Sequence, residues 1–340
     1  MKLNRYIFAL LAAAALLVGC KKDDEDTKPS LSGKVTIGVT IPAYVQKGES
    51  FHIVASGAYR KSKTDTLVGY YIYDPITHQY DTIRTEGQTG SAEGDFVISV
   101  DSLSTFTMNV TAFAKGYYGT TGSASFTVVN PSLDTLRGSL KGHPYGYDVT
   151  TSFTDARDGL VYYATSLSSG GWMIQNLAWT GAGAGAGYPY ADSEAMSYIA
   201  GRFYNWDEAT TACPAGWKLP SDADFVALAG AGATGETIPD AAGVLKGDVS
   251  FNGSALWPYQ NGKITITNDT FFTALPWGYL TVSAGTHSYK SFRETAVFWT
   301  ADSVDSETAL ARYLKVDSND ILVQTMDKKS FCASVRCIKE

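Results

Sequence analysis

The 340 residues carry 27 Lys and Arg against 34 Asp and Glu, a net charge of −7, and no block of basic residues interrupts that balance, so nucleic acid is excluded as an expected partner. Hydrophobic residues at 44% and aromatics at 13% suffice for packed cores, and the length fits two domains better than one. The 21 tyrosines and 33 glycines, with few long helical patterns, point to strands and turns.

In chain order, Lys2 and Arg5 precede an apolar run from Ile7 to Val18 that ends in Leu17-Val18-Gly19-Cys20. This is the order of a secretory signal, too short to span a bilayer as a mature helix. A cysteine directly after the small residue resembles a lipobox, which implies cleavage after residue 19 and acylation of Cys20. Two or more acyl chains would anchor the protein stably, whereas one holds only marginally. Residues 1–19 are therefore expected to be a lipoprotein signal peptide, and residues 20–32 a lipidated cysteine with an acidic tether. Without residues 1–19 the chain loses Lys2 and Arg5, leaving 25 basic residues against 34 acidic ones, a net −9. Lys21-Lys22-Asp23-Asp24-Glu25-Asp26 has nothing apolar to bury and reads as a solvated spacer. Its position just after the lipid cysteine resembles the surface-export signal of Bacteroidota lipoproteins, which implies an outer-membrane, surface-exposed location. No later apolar run reaches the ~20 residues of a membrane span, so the lipid is the expected membrane contact.

Residues 33–130 predict an all-β, immunoglobulin-like sandwich. Val35, Ile37, Val39 and Ile41 alternate with smaller or polar neighbours, and strand-like runs follow at 50–55, 67–73, 95–100, 106–114 and 124–129. Gly, Asp and Ser turns separate them at the spacing of such a sandwich. The segment holds no cysteine and shows no chemistry. His52 and His78 stand apart from each other and from any acidic cluster with ligand spacing. Residues 131–152, with Pro131, Gly138, Gly142, Pro144 and Gly146, read as a linker or an incoming strand with turns.

A second, α+β domain is expected over 153–340. Leu160–Thr165 and Trp172–Leu177 flank Ser168-Ser169-Gly170-Gly171, a hairpin signal. The alternating glycines from Gly181 to Gly187 lack a following Lys and the strand–helix context of a nucleotide loop, so a flexible surface loop is the reading. Asn205–Ala212 predicts a short helix ending before Cys213-Pro214. A second helix is capped by Ser221 with Asp224 three residues on, and carries Phe225, Leu228 and Ala229 as its apolar stripe. Three thiols, Cys213, Cys332 and Cys337, remain once Cys20 is acylated, enough for one bridge and one leftover.

Six short motifs in this half recur in a fixed order. They are Trp172-Met173-Ile174-Gln175-Asn176-Leu177, Gly201-Arg202-Phe203-Tyr204-Asn205-Trp206, Cys213-Pro214-Ala215-Gly216-Trp217-Lys218-Leu219-Pro220-Ser221, Phe272-Thr273-Ala274-Leu275-Pro276, Phe298-Trp299-Thr300 and Ser334-Val335-Arg336-Cys337. Together they resemble the Fibrobacter succinogenes major paralogous domain family over about 153–340. The resemblance implies a C-type-lectin-like fold with a small twisted sheet, two helices and long irregular loops. It also implies a disulfide between Cys213 and Cys337, and places Trp172, Trp206, Trp217, Leu219 and Trp299 in core and sheet. The calcium-dependent lectin triplets are missing, since Asn205-Trp206-Asp207 is in the wrong order, so no calcium-bound sugar site is expected.

Departures from the family pattern supply the candidate ligand-binding residues. Trp277 stands where members usually carry glycine, in Leu275-Pro276-Trp277-Gly278-Tyr279, and Trp257-Pro258-Tyr259 lies in a stretch rich in Gly and Asn. Aromatics on loops that a fold does not require can stack on a sugar face, so Trp257, Tyr259, Trp277 and Tyr279 are the predicted ligand contacts. Asn252, Asn261, Asn268 and Asp269 are nearby in sequence to bond hydroxyls. Cys332 and Cys337 have the C-x4-C spacing that resembles the copper pair of formylglycine-generating enzymes. Odd spacing on a strand would put them on opposite faces, and a structural disulfide with a buried spare Cys332 is preferred. His143 and His287 are singletons without a motif-level nucleophile, so no catalytic residue, metal or cofactor is expected. Five Asp-Ser/Thr-aliphatic tripeptides, at Asp65, Asp81, Asp101, Asp134 and Asp302, resemble the O-glycosylation motif of Bacteroidota exported proteins.

The resulting expectation is a lipid-anchored surface protein that binds glycan or protein without catalysis. The alternatives are a structural component of a surface assembly and, less favoured, a copper-dependent oxidase.

Overall fold

A computed structural model of the chain describes residues 28–59, 69–73, 79–84, 91–132, 136–138, 151–181, 186–258 and 265–340. The expected signal peptide, Cys20 and its acidic spacer, His78, His143, Tyr259, Asn261 and residues 182–185 of the glycine run lie outside these residues.

The first domain is a two-sheet β-sandwich. Strands Val35–Thr40, Ser50–Tyr59 and Ser91–Ser99 form one antiparallel sheet. The other orders Tyr44–Gln46, Thr120–Val129, Thr105–Phe113, Gly69–Tyr73 and Tyr80–Arg84, with Tyr44–Gln46 running parallel to its neighbour. Alternation explains the core: Phe51, Ile53 and Ala55 point inward from one sheet, and Met108, Val110 and Ala112 from the other. The periodicity misses Tyr44–Gln46, only three residues long, and Tyr80–Arg84, an edge strand with one partly buried apolar residue, Ile83. The outer face is solvated, and there His52 meets Asp95 on the adjoining strand at 3.0 Å, so this histidine has a partner.

The second domain is built on a sheet in which the order is Tyr188–Pro189, Arg202–Tyr204, Phe331–Ser334, Thr295–Ser303, Thr308–Lys315 and Ile321–Asp327. Tyr279–Ser283 also pairs with Phe331–Ser334 and carries the hairpin partner Thr286–Lys290. Phe331–Ser334 thus sits among three neighbours, antiparallel to two and parallel to the third. One face packs Trp299, Val297, Tyr313 and Phe331 against Tyr204 and Ala209. The other packs Phe298, Leu314 and Ile321 against Phe225, Leu245 and Phe272.

Both predicted helices form, and the structure shows why they start where they do. Trp206–Ala212 is opened by Asn205, whose side chain accepts from the Glu208 amide at 2.9 Å while Glu208 accepts the Asn205 amide at 3.1 Å. Asp222–Ala229 is opened in the same reciprocal way by Ser221 and Asp224, and is closed by Gly230 in the left-handed region. The 160–177 hairpin exists in a reduced form, a few bonds between Tyr163–Thr165 and Trp172–Ile174.

Two short segments bind the domains to each other. Leu136–Gly138, from the expected linker, pairs antiparallel with Val249–Phe251 of the second domain. Tyr44 of the sandwich lies 5.9 Å from the Tyr190 ring and 6.1 Å from the Phe251 ring, and its carbonyl accepts from Ser193 Oγ at 2.7 Å. Val129 and Leu136 are buried in the same cluster as Phe203, Phe251 and Trp277.

Candidate functional site

The family-type motifs converge in the interior, on Arg336. This side chain is 1% exposed, and its guanidinium donates to Asn176 Oδ1 at 2.8 and 3.2 Å, to the Ile174 carbonyl at 2.6 Å and to the Phe272 carbonyl. It lies over the Phe272 ring at 4.4 Å and the Phe298 ring at 5.4 Å. Asn176 in turn donates to the Ala200 carbonyl and to Ser334 Oγ. Gly201 is required beside it, since a Cβ there would meet the Asn176 Cβ at 2.3 Å and its φ is +78°. Trp299 Nε1 donates to the Tyr204 carbonyl at 2.8 Å, and Trp206 Nε1 to the Thr300 carbonyl at 2.9 Å. Trp172, Trp217, Trp299 and Leu219 are buried as expected, while Trp206 is half-buried beneath Lys328. Five of the six motifs meet in these contacts. The remaining one holds Cys213, which is bridged to Cys337 as the resemblance implied, with Cα atoms 5.9 Å apart.

Two of the four predicted ligand contacts are corrected. Trp277 is 2% exposed, stacked on Phe292 at 5.5 Å and edge-on to Phe251. Gly278 behind it has φ +78° and no room for a side chain, its Cβ position falling 1.9 Å from the Lys290 carbonyl oxygen. Trp257 is 4% exposed, its Nε1 donating to the Ala274 carbonyl at 2.8 Å and its ring lying under Lys246 at 4.9 Å. Neither offers a face to solvent, because the core here is built from loops as much as from strands. Asn268 is engaged too, holding Thr273 through both its amide oxygen and its amide nitrogen.

Tyr279 is different. It lines an open groove of about 600 Å³ with Tyr313, Met326, Gln324, Lys315, Asp317 and Glu294. Register explains the grouping: Thr295 is opposite Lys315 and Ala311 opposite Gln324, so alternate residues of three strands share this face. The Tyr279 and Tyr313 rings are 6.5 Å apart and edge-on, both backed by Phe331. Burial pushes the Tyr313 phenol above its ordinary pKa, so it stays a neutral hydrogen-bonding group at physiological pH. The groove therefore offers the half-buried Tyr279 ring, backed by the buried Tyr313, and a rim of carboxylates, an ammonium and an amide. The sequence named only Tyr279, since most of the other lining residues, from Tyr313 to Met326, lie 34 or more positions further on. A second cavity of about 320 Å³, lined by Tyr44, Phe51, Asp192 and Glu194, belongs to the joint between the domains.

Other chemistry-bearing groups are held in structural roles. Cys332 is buried and reduced, with burial pushing its thiol up to about 12. This is the arrangement preferred over a C-x4-C copper pair: Cys337 is bridged to Cys213, and Cys332 is the buried spare. His287 is not isolated, since its Nδ1 lies 2.6 Å from Asp192 Oδ1, which Tyr289 OH also reaches. The adjacent Ser193 Oγ is turned away to the Tyr44 carbonyl, so these residues do not assemble as a Ser-His-Asp triad. Of the glycosylation-like tripeptides, Thr82 and Ser102 are exposed, and Ser303 Oγ is bonded to Lys328 and to the Asp305 carbonyl. Those at Asp65 and Asp134 lie largely outside the described residues.

The architecture is thus that of a β-sandwich joined to a disulfide-closed head whose loops pack around a buried arginine. The Fibrobacter succinogenes major domain family model matches residues 164–339, slightly over half the chain, and the protein belongs to that family. No curated protein matches the chain. Among solved structures it is similar to the PKD domain of an M14-like peptidase from a Thermoplasmatales archaeon, at 19% identity over 27% of this chain and 91% of that one, with a TM-score of 0.22.

Proposed function

We propose that this is a lipid-anchored protein of the outer cell surface whose head captures an extracellular ligand, glycan or protein, without transforming it. Cys20 would carry the lipid, an immunoglobulin-like sandwich would act as the stalk, and the head would be C-type-lectin-like. The paired helices beside a central sheet, the stretches 230–248 and 265–278, which hold no strand, and the Cys213–Cys337 bridge support that fold reading. The observation that carries the binding reading is the groove, where the half-buried Tyr279, backed by the buried Tyr313, sits inside a rim of Glu294, Lys315, Asp317 and Gln324. Aromatic rings that meet a ligand on one side and polar groups that converge from the other are the usual composition of a small recognition site.

The test uses protein from residue 21 onward on a broad glycan and mucin array, beside Tyr279→Ala and Lys315→Ala variants. Binding that either variant loses, with its circular dichroism unchanged, would support capture in the groove. Binding that both variants retain would place the ligand elsewhere. Protease shaving of intact cells tests the location, and complete protection would sink surface display.

A further inference from the structure

The groove ends at a sheet edge that, among the described residues, is open beyond Ile321. Ile321–Asp327 is the last strand of the sheet and pairs with Thr308–Lys315 in unbroken register from Thr308–Asp327 to Leu314–Ile321. The Ile321 amide and carbonyl both bond outward, to Ile238 at 2.9 Å. Since the direction alternates along a strand, Leu322, Gln324 and Met326 bond inward to Thr308–Lys315, and Val323 and Thr325 turn their N–H and C=O outward. Among the described residues no backbone partner bonds either of them. Proteins normally blunt such an edge with Lys, Pro or a bulge. Ile321-Leu322-Val323-Gln324-Thr325-Met326-Asp327 has none of these.

We infer that this edge and the adjoining groove together bind an extended polypeptide segment of a partner, added as a further strand beside Ile321–Asp327. This rests on the groove reading and names its ligand class. Only a polypeptide offers N–H and C=O groups at the strand repeat, which the outward groups of Val323 and Thr325 require. Side chains of the added strand, alternating every second residue, would lie on the face that carries Gln324 and Met326. The floor of Tyr279, Tyr313 and Met326 suits an apolar side chain. The rim holds two carboxylates, Glu294 and Asp317, against the single ammonium of Lys315, which favours a basic one.

The experiment selects random dodecapeptides displayed on phage against the full-length chain in detergent, then measures affinity for Thr325→Pro and Val323→Pro. Proline at an outward-facing edge position removes a free N–H without breaking the ladder. The expected result is selected peptides that alternate apolar and basic residues and bind either variant about ten-fold or more weakly. Peptides N-methylated at alternate positions should lose affinity equally, a readout that leaves the protein untouched should a variant fail to fold. Peptides that bind the proline variants and the parent equally would overturn the strand addition. So would N-methylation that costs nothing. If no peptide is selected while array binding remains sensitive to Tyr279→Ala, the polypeptide inference falls and the groove reading stands. If neither peptide nor array ligand binds, both fall.

Discussion

Arg336 shows how one side chain can organise a domain built mostly of loops. Its donors satisfy a side-chain amide and four backbone carbonyls from segments 63 to 163 residues away. Lysine offers a point charge where this site requires a planar fork. Deleting the guanidinium would leave Asn176 Oδ1 and the buried carbonyls without their donor, at roughly 1–3 kcal/mol for each group left unpaired. Arg336→Met should therefore destabilise the head by several kcal/mol, seen as a lower urea midpoint by tryptophan fluorescence, while the sandwich, which holds none of the seven tryptophans, keeps its own transition by circular dichroism. Arg336→Lys should recover only part of the loss. Lys246 gives a second test at this scale. It is 0% exposed, donates at 2.7 Å to the Lys315 and Ser318 carbonyls, and burial pushes its amine down to about 8. Between that value and the ordinary 10.5, the unfolded chain binds a proton that the native state has released. Stability from this group is then complete above the unfolded value and is lost as pH falls through about 8. The slope is at most ~1.4 kcal/mol per pH unit. Denaturant titrations of the parent chain from pH 8 upward should rise relative to Lys246→Met, and parallel curves would contradict the assignment.

At the scale of elements, the signals that worked are local ones. The caps at Asn205 and Ser221 each pair a short polar side chain with an acid three residues on, so their bonding partners are written into adjacent sequence. Ser221→Ala should cost about 1 kcal/mol in thermal or denaturant unfolding, more than an exposed Ser→Ala such as Ser102→Ala on the sandwich. The long sandwich strands were legible for the same reason, period-two alternation within one run. Trp257 and Trp277 were misread because their surroundings, rich in Pro, Gly and Asn, carry the composition of an exposed loop, while the groups that meet them are the Ala274 carbonyl and the side chains of Lys246, Tyr190, Phe251 and Phe292. The groove was legible only at Tyr279, since its other walls depend on strand register, which no local pattern reports. The buried pair of Asp222 and Arg312, two bonds across 90 residues, lay beyond sequence reading for that reason too.

At the scale of the molecule, the Cys213–Cys337 bridge closes a 124-residue separation. Chain-entropy reasoning puts its contribution near ~5 kcal/mol, with native values often smaller. Reduction under mild denaturant should lower the head's transition well below that of the sandwich, which contains no cysteine, and a single unchanged transition would contradict this. The order of the chain carries a further consequence. Phe331–Ser334, Arg336 and Cys337 follow every segment they hold together, from Trp172 and Gly201 to Phe272 and Phe298. A ribosome therefore releases the sandwich with all its own strands present, but delivers the head's fastening last. Until then about 180 residues wait without their central strand, a state that a protease can cut. Quality control of this protein would consequently turn on whether its final segment arrives.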